Sequence, residues 1–417
     1  MTGTQDNSAA REKQLGGFAA AFAILFFAAA LACSLRIPVW LNSDEPFHFI
    51  YISTILNERR MPTHQETYQA AHPPAYFLAA AAWDLPFRNK SKSAQDHWVR
   101  VLSALMGAVT IYLLFLIGKN GLGSAALGAA MAAFAALSPA FLVMNSVVNN
   151  DPAAILACTA AIYLILKLTR EKAGFRAAAL CGAAAGACCL VKINANFLPV
   201  FFVVFYFFHP ANSGKPRVRV VAEIAVFCAV FLAVATPWYI AGYLRIGNKI
   251  LFNPVTALKP NPLYVPANLF WFLKTHALNF WLPNDYLRGN PMGLPTAIKI
   301  AYLSLSAVCA ALAVAGIVAA VGLKDKLRRH ILLSFGFCTL IYLAQQASLN
   351  MQMPVAQARY AFIMIAPMAA LVMSPFTKLK PASFEKIVYA SAATALLLQA
   401  VWLLIFLAGL TPPPFNF

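Results

Sequence analysis

Charged side chains are scarce in this chain, and acidic ones are the scarcest. Only 11% of the 417 residues are charged, with 14 Asp or Glu against 32 Lys or Arg, whereas 61% are hydrophobic. The mean hydropathy of +0.69 agrees with that imbalance. A water-soluble domain is typically about one quarter charged. The composition therefore excludes an ordinary water-soluble domain and predicts an all-α integral membrane protein.

Several motifs of nucleotide and metal chemistry are also missing. The chain has no Walker sequence, no nucleotide-binding glycine loop and no internal repeat. We therefore expect a single domain over residues 1–417, with any activated donor linked to a lipid. The eight cysteines form no CxxC pair and have no His at ligand spacing, so we expect small buried side chains rather than a metal site or disulfides.

Long apolar runs divide the chain into membrane spans. A helix needs about 20 residues to cross the hydrocarbon core. The runs predict about eleven transmembrane helices, at residues 15–35, 99–118, 122–142, 152–169, 175–191, 195–208, 219–240, 298–322, 331–347, 360–375 and 386–408. The first run ends in Leu31-Ala32-Cys33 and is open to interpretation as a cleaved signal, but cleavage would detach the segment that follows from its membrane helix.

Basic residues fall on alternate loops, as is typical of cytoplasmic loops. The loops of one set carry Arg11, Lys13, Lys119, Lys167, Arg170, Lys172, Arg176, Lys215, Arg217, Arg219, Lys324, Lys326, Arg328, Arg329, Lys378, Lys380 and Lys386. This predicts a cytoplasmic N-terminus, an outer C-terminus and two long extracytoplasmic segments, 36–98 and 241–297. Because the net charge of +18 is spread over separate short loops, no nucleic-acid partner is expected.

A polar, titratable segment at residues 42–76 directly follows the first span. It reads NSDEPFHF, then ERRMP, then AHPPAY. Asn42 with Glu45 three residues later is typical of a capping box, and Pro46 is tolerated in a first helical turn. We therefore predict a helix that starts here and lies along the membrane surface, followed by a second amphipathic helix at 75–83.

Two acids and two histidines of this segment are candidates for chemistry. Asp44 and His48 are four residues apart and share a helix face, and Glu45 and His72 fall in the same outer segment. A carboxylate half-buried at the interface is expected to have a raised pKa, which suits a general base. Structural roles remain open: Glu45 as half of the capping box, Asp44 as an acid favoured in a first turn, and both histidines as satisfied interfacial residues.

The second outer segment, 241–297, is rich in Pro, Asn and aromatic residues. An irregular segment of this kind suits a loop over a site, and its candidate acceptor contacts are Lys274, His276 and Asp285. Aromatic rings there are either platforms for a sugar or an interfacial belt, and we favour the belt for Trp271, Phe280, Trp281 and Tyr286.

The order of landmarks along most of the chain resembles the GT-C superfamily of membrane glycosyltransferases. The motif DEPFHF at 44–49, then HPP at 72–74, is similar to the first outer loop of these enzymes. NND at 149–151 resembles their Asn-Asp element, and QARY at 357–360 resembles their (Gly)-Arg-Tyr element, with Ala358 in place of the usual Gly. Within that superfamily, the motifs most resemble those of protein O-mannosyltransferases, lipid A aminoarabinose transferases and a bacterial multi-span family with a DEPxHF signature.

The resemblance implies an inverting enzyme that moves a sugar from a polyprenyl-phosphate carrier to a hydroxyl of a lipid, glycan or protein acceptor. Asp44 is then the base, and Glu45 is the other expected catalytic residue. With Asp151, these carboxylates have oxygens for a divalent metal, but no metal or other cofactor is expected. The residues expected to bind substrate are His48, His72, Tyr76, Asn150, Asp151, Lys192, Arg359 and Tyr360. The implied location is a bacterial inner membrane, with membrane lipid as a further partner.

Lys192 and Arg359 are the expected partners of the leaving phosphate. They are the only basic residues in short outer loops that otherwise lack charge, and a phosphate leaving group needs cationic stabilisation. This role requires both cations to lie close to Asp44. The simpler alternatives are that Lys192 extends its ammonium to the interface, and that Asp151 caps a helix with Pro152 at its first position.

Two other classes of function stay open, a transporter or flippase for lipid-linked glycans and a glycan polymerase or ligase. Transporters usually place ionisable residues in the middle of spans, often in broken helices or inverted repeats. The middle of the predicted spans is nearly free of charge here. We therefore prefer the glycosyltransferase.

Overall fold

The computed structural model describes residues 2–39, 41–42, 44–172, 174–247, 266–283, 296–352 and 358–409. Within these ranges the chain is helical and has no strand, which confirms the predicted all-α membrane class. The helices are α1 (Thr2–Arg36), α2 (Glu45–Glu58), α3 (Ala75–Asp84), α4 (Lys92–Leu116), α5 (Ala125–Ala136), α6 (Pro139–Met144), α7 (Asp151–Lys172), α8 (Phe175–Val191), α9 (Phe197–Phe207), α10 (Arg217–Ile246), α11 (Pro266–Asn279), α12 (Thr296–Val321), α13 (Lys326–Gln352), α14 (Ile365–Met373) and α15 (Pro381–Gly409).

Seven segments of the described chain are long and apolar enough to cross a membrane. They are Ala10–Arg36, Lys92–Gly121, Asp151–Arg170, Arg217–Arg245, Thr296–Val321, Lys326–Ser348 and Ala358–Lys378. Three shorter apolar helices, at Ala125–Ala136, Phe175–Val191 and Ile193–Phe207, fall on other predicted spans. The predicted span at 122–142 is divided, because Ser138 caps α6 and Pro139 occupies its first turn. The count of eleven stays a prediction.

Glycines let several helices pack backbone against backbone. A Cβ added at Gly118 would lie 2.2 Å from the Cα of Gly128, where the end of α4 meets α5. A Cβ at Gly182 of α8 would lie 2.4 Å from the carbonyl oxygen of Phe227 on α10. Small residues at helix contacts are how membrane helices gain close van der Waals packing. These contacts hold together the helices whose ends carry the polar residues.

Two short helices follow α1, as the sequence predicts. Helix α2 packs on α3 through Tyr51 and Phe77, whose rings stack with centroids 3.8 Å apart. Helix α3 is joined to α4 by Trp83 and Trp98, whose rings stack at 5.0 Å. Each of these indole N–H groups donates to the backbone carbonyl of the other residue, at 2.9 and 2.8 Å. The first outer loop is therefore a packed structure attached to the bundle.

The capping box predicted at the start of α2 is wrong. Asp44 is the N-cap residue, and its backbone N–H donates to Oδ1 of Asn42 at 3.0 Å. The side chain of Glu45 is fully buried and points to Arg100 of α4. A bond between two charged groups is roughly twice as strong as a neutral one, so Glu45 pairs with the guanidinium instead of a backbone amide.

Candidate active site

Four separate parts of the fold bring charged side chains to one place. Asp44 lies at the start of α2, Asp151 at the start of α7, Lys192 directly after α8, and Arg359 in the 3-10 turn before α14. Between 5% and 18% of each of these side chains is exposed. The structure thus joins the partly buried carboxylate of Asp44 and the buried carboxylate of Asp151 to two buried cations that are far apart in sequence.

Asp44 is held by two donors. Its Oδ2 lies 2.6 Å from Nη2 of Arg359, and its Oδ1 accepts a hydrogen bond from the hydroxyl of Tyr68 at 2.7 Å. Burial acts to raise the pKa of Asp44, but the charge of Arg359 and the hydrogen bond from Tyr68 outweigh it and hold the pKa well below its ordinary value. The raised pKa expected from the sequence is therefore wrong for this state, because a neighbouring cation and a hydrogen bond outweigh desolvation.

Asp151 pairs with both cations. Its Oδ1 accepts from the ammonium of Lys192, and its Oδ2 lies 3.6 Å from Nε of Arg359. The ammonium of Lys192 also donates to Oδ1 of Asn150 at 3.0 Å. Lys192 is 6% exposed, so its ammonium is buried against these partners. Asp151 is the first residue of α7, and Oδ1 of Asn149 accepts from its backbone N–H at 2.9 Å.

The ring of Tyr360 lies beside both cations. Nζ of Lys192 is 5.1 Å from the ring centroid, and the guanidinium carbon of Arg359 is 5.5 Å from it. The backbone carbonyl of Tyr360 accepts from the hydroxyl of Tyr342 at 2.6 Å, which anchors the turn. Attraction between a cation and an aromatic face strengthens when both are out of water. Tyr360 therefore helps to position both cations.

Glu45 points away from this cluster and belongs to a buried contact of its own. Its two oxygens accept from Nε and Nη2 of Arg100, each at 2.7 Å, and Oε1 also accepts from the backbone N–H of Val148 at 2.9 Å. Arg100 is 0% exposed, and its other donors reach the carbonyls of Ser34, Ile37 and Pro38. The pair thereby ties the end of α1, the start of α4 and the residues before α7 to the start of α2.

The histidine and tyrosine candidates of the first loop are His48, His72 and Tyr76. His48 is 2% exposed and stacks on Phe77 with ring centroids 5.6 Å apart, and Tyr76 is 1% exposed. Burial lowers the pKa of His48 to about 3 and that of His72 to about 4, with Lys192 acting in the same direction on both. Burial raises the pKa of Tyr76. At neutral pH these three side chains are uncharged.

The second outer segment is described only in part. Phe280 and Trp281 are 8% and 1% exposed, and the indole of Trp281 donates to Oγ of Ser306 at 2.8 Å. Their assignment to an interfacial belt is wrong, because they pack inside the bundle. No contact among the described residues joins Lys274 or His276 to Asp44. Asp285, Tyr286 and the side chain of Trp271 lie outside the described residues.

The carboxylates considered for a divalent metal already have partners. Asp44 and Asp151 pair with cations, and the carboxylate of Glu45 accepts hydrogen bonds from Arg100 and from a backbone amide. In the part of the chain that the structure describes, no three His, Cys, Asp or Glu residues are grouped to hold a metal ion. That no metal takes part stays a prediction from the sequence.

Two residues of this region are absent from the expectations drawn from the sequence. Arg100 lies inside an apolar run near its outer end, and an Arg at such a depth signals a buried partner. Tyr68 carries no such signal, because one more aromatic residue in a loop is not distinctive. Only the fold brings its hydroxyl to Asp44.

Comparisons with known proteins agree with this architecture. Residues 72–240 match the family model described as dolichyl-phosphate-mannose-protein mannosyltransferase, which is less than half of the chain and leaves out Asp44 and Arg359. The chain is similar to the crystal structure of ArnT from Cupriavidus metallidurans in the apo state, with a TM-score of 0.53, 14% identity, 87% of this chain and 61% of that chain covered. A comparison with curated protein sequences gives no match.

The oligosaccharyltransferase of Archaeoglobus fulgidus is similar as well. Its apo form matches with a TM-score of 0.51 and 14% identity over 93% of this chain and 55% of that chain. Its complex with zinc and sulfate matches with a TM-score of 0.50 and 15% identity over 92% of this chain and 52% of that chain. The chain thus spans less than two thirds of the length of each of these structures. The chain therefore shares the fold of these structures, as the predicted resemblance implies.

Proposed function

We propose that this chain is a GT-C glycosyltransferase that moves a sugar from a polyprenyl-phosphate carrier to a hydroxyl acceptor, with inversion at the anomeric carbon. The observation that carries the proposal is the largely buried cluster of Asp44, Arg359, Asp151 and Lys192. The match of residues 72–240 to a family named for a dolichyl-phosphate-mannose donor supports a lipid-linked donor of this kind.

In the proposed reaction Asp44 removes the proton of the acceptor hydroxyl as that oxygen attacks the anomeric carbon. A carbon–oxygen bond to the acceptor forms, and the bond between the anomeric carbon and the phosphate oxygen breaks. The electron pair of the broken bond leaves with polyprenyl phosphate. Asp44 meets the first requirement of a general base, because burial and its partners fix the carboxylate in one place.

Arg359 and Lys192 stabilise the charge that collects on the leaving phosphate. In the structure their charges are balanced by Asp44 and Asp151. A phosphate group that takes over Arg359 removes the charge that lowers the pKa of Asp44, so the carboxylate becomes a stronger base when the donor is bound. Asn150 adds a buried amide Nδ2 that has no hydrogen-bond partner among the described residues and is free to donate to the phosphate.

Glu45 acts in this proposal through Arg100 and not on the substrate. Its oxygens are already used by Arg100 and by the amide of Val148. Since Glu45 directly follows Asp44, that buried pair fixes the backbone from which Asp44 projects. We assign Glu45 as a positioning residue, and we propose that no divalent metal takes part.

The proposed location is a bacterial inner membrane, with the N-terminus in the cytoplasm and the cluster on the outer side. The distribution of Lys and Arg over the loops supports this orientation. A donor headgroup in the outer leaflet then lies at the depth of the cluster, and its lipid tail lies among the helices.

The test compares four strains: native, deletion, Asp44→Asn, and Asp325→Asn as the matched control. Asp325 makes the same change in charge in the α12–α13 loop, where Asn is also an effective helix cap. Mass spectra of lipid-linked sugars and of surface glycans are recorded at equal protein levels. We expect the deletion and Asp44→Asn to lack one sugar on the acceptor and to accumulate the polyprenyl-phosphate sugar, whereas Asp325→Asn matches the native strain.

An assay with purified protein separates the proposed transferase from a transporter. The purified native protein should convert a polyprenyl-phosphate sugar to polyprenyl phosphate when an acceptor is supplied, and Asp44→Asn should not. A donor whose mass never changes, with glycans that depend on the protein but not on Asp44, would refute the transferase and favour a flippase.

A further inference from the structure

A polar cavity lies at the opposite end of α7 from the candidate active site. Asp151 begins α7, whereas Arg170 is close to its last residue, about 28 Å away at the rise of an α-helix. The cavity has a volume of about 670 Å³ and is lined mainly by Lys119, Tyr163, Lys167 and Arg170. That volume falls within the usual range of small-molecule sites.

Cations dominate the walls of this cavity. Lys119, Lys167 and Arg170 face one acid, Glu12 of α1, whose carboxylate lies 3.4 Å from the ammonium of Lys119. The guanidinium of Arg170 donates to the backbone carbonyl of Asn120. Three cations against one carboxylate leave a net charge of +2, so the cavity suits an anion. A phosphate group provides the oxygens that Lys and Arg bind.

The backbone around the cavity depends on glycine. The end of α4 widens into a π-helical turn at Ile117–Gly121, and such turns often mark functional sites. Gly123, which follows, has φ of +70°, a conformation that other residues rarely adopt. A Cβ at Gly121 would lie only 2.9 Å from Cδ1 of Leu166 on α7. Larger residues would therefore close the cavity or strain its wall.

An apolar surface leads along α4 toward the cavity. Leu105, Val109 and Tyr112 are 40%, 40% and 38% exposed, and their spacing of four and three residues places them on one face of the helix. Because Lys92–Gly121 is long and apolar enough to span the membrane, such exposed side chains face acyl chains. Lys119 and Asn120 lie about two turns further along the same helix. A lipid in this position has its tails beside the apolar face and its headgroup in the cavity.

We propose that this cavity binds the phosphate headgroup of an anionic membrane lipid in the leaflet opposite the candidate active site. Basic pockets between membrane helices are suited to such headgroups. The binding site is independent of the proposed transferase activity. Free inorganic phosphate shares the chemistry but has no use for the apolar face of α4.

The test measures lipid retention by native mass spectrometry of the purified full-length protein in detergent. The probes are phosphatidylglycerol, zwitterionic phosphatidylcholine and excess inorganic phosphate. The variant Lys119→Gln/Lys167→Gln/Arg170→Gln is compared with Lys324→Gln/Lys326→Gln/Lys380→Gln, which removes the same charge from other basic loops. We expect the first triple variant to lose binding of phosphatidylglycerol by on the order of a hundredfold, at roughly fivefold per cation, and the second to keep it.

Lys167→Gln alone keeps the proposal testable if the triple variant fails to fold, because Lys167 is exposed on α7. It should weaken phosphatidylglycerol binding roughly fivefold. Equal binding of phosphatidylcholine and phosphatidylglycerol to the native protein would overturn the proposal. So would equal losses in the two triple variants, or displacement of the lipid by inorganic phosphate, which would make the ligand a soluble anion.

Discussion

Replacing Glu45 with Gln is expected to destabilise the protein strongly, although among the described residues Glu45 makes no direct contact with Arg359, Asp151 or Lys192. Glu45 accepts two hydrogen bonds from Arg100 and one from the amide of Val148, and neither charged side chain is exposed. Gln keeps one oxygen but turns the other into an N–H₂ group, which faces a donor. Removing one partner of a buried ion pair costs about 3–5 kcal/mol, since the other charge stays buried without compensation.

The expected shift in Tm follows from the size of the chain. With an unfolding entropy of about 2.1 cal/mol/K per residue, 3–5 kcal/mol corresponds to a Tm lower by roughly 3–6 °C. Arg100→Met should be worse than Glu45→Gln, because it also leaves the carbonyls of Ser34 and Ile37 without their donor. The double variant should cost less than the sum of the two, because both changes break the same contact.

Thermal unfolding in detergent, followed with a thiol-reactive dye, suits this measurement because most cysteines of the described chain are buried. The matched control is Glu66→Gln. Glu66 pairs with Arg60 at 2.5 Å, but on the surface, where solvent screens the interaction, so its Tm should shift far less. If Glu45→Gln and Glu66→Gln unfold at the same temperature, the buried pair does not hold the first loop and the reasoning fails.

Four further predictions follow from single contacts. Asp84 is buried, neither of its oxygens has a hydrogen-bond partner among the described residues, and burial raises its pKa to about 7. The folded protein is therefore stabilised by protonation of Asp84, and this stabilisation is lost as the pH rises to about 7. Asp84→Asn should raise Tm at pH 8 and raise it less at pH 5, and a lower Tm at both pH values would contradict this. A Lys at position 359 cannot reach both Asp44 and Asp151, so Arg359→Lys should lower turnover of the donor by at least about tenfold. Turnover at the native rate would rule out Arg359 as a residue of the proposed phosphate site. Burial lowers the pKa of His48 to about 3, so on acidification His48 takes up a proton in the unfolded state before it does so in the folded state. The Tm of the native protein should fall between pH 7 and 5, and the slope of Tm against pH should be smaller in His48→Asn. Equal slopes would argue against a neutral His48. Trp98→Ala removes the stack on Trp83, and because both rings are only partly buried it should cost roughly 1–3 kcal/mol by thermal unfolding. An unchanged Tm would rule out that junction as a support of α3.

The helical membrane class and the two loop helices could be predicted from the sequence because their signals are local. Apolar runs, the distribution of Lys and Arg and the DEPFHF motif need no knowledge of distant neighbours. The same approach selected Lys192 and Arg359 because each is a cation in an outer loop without other charges. A charged residue at a position where charge is unfavourable is a recognisable sign of function in a membrane protein.

The partners of these residues could not be predicted, since they depend on contacts between distant segments. A capping box at Asn42 is the best local solution, but Arg100 offers Glu45 a charged partner from α4. The expected pKa of Asp44 had the wrong direction because burial was weighed without Arg359. The belt assigned to Trp281 failed for the same reason, because α12 supplies a buried acceptor in Ser306.

The ion pair between Asp44 and Arg359 joins residues from near opposite ends of the chain. Protein synthesis proceeds at about 5–20 residues per second, so Arg359 emerges from the ribosome tens of seconds after Asp44 has entered the membrane. During that interval the inserted segments hold Asp44 without its cation. A chain that terminates early therefore carries the DEPFHF motif and most of the spans but has no complete site. A truncated copy is therefore expected to lack the cluster on which the proposed activity depends.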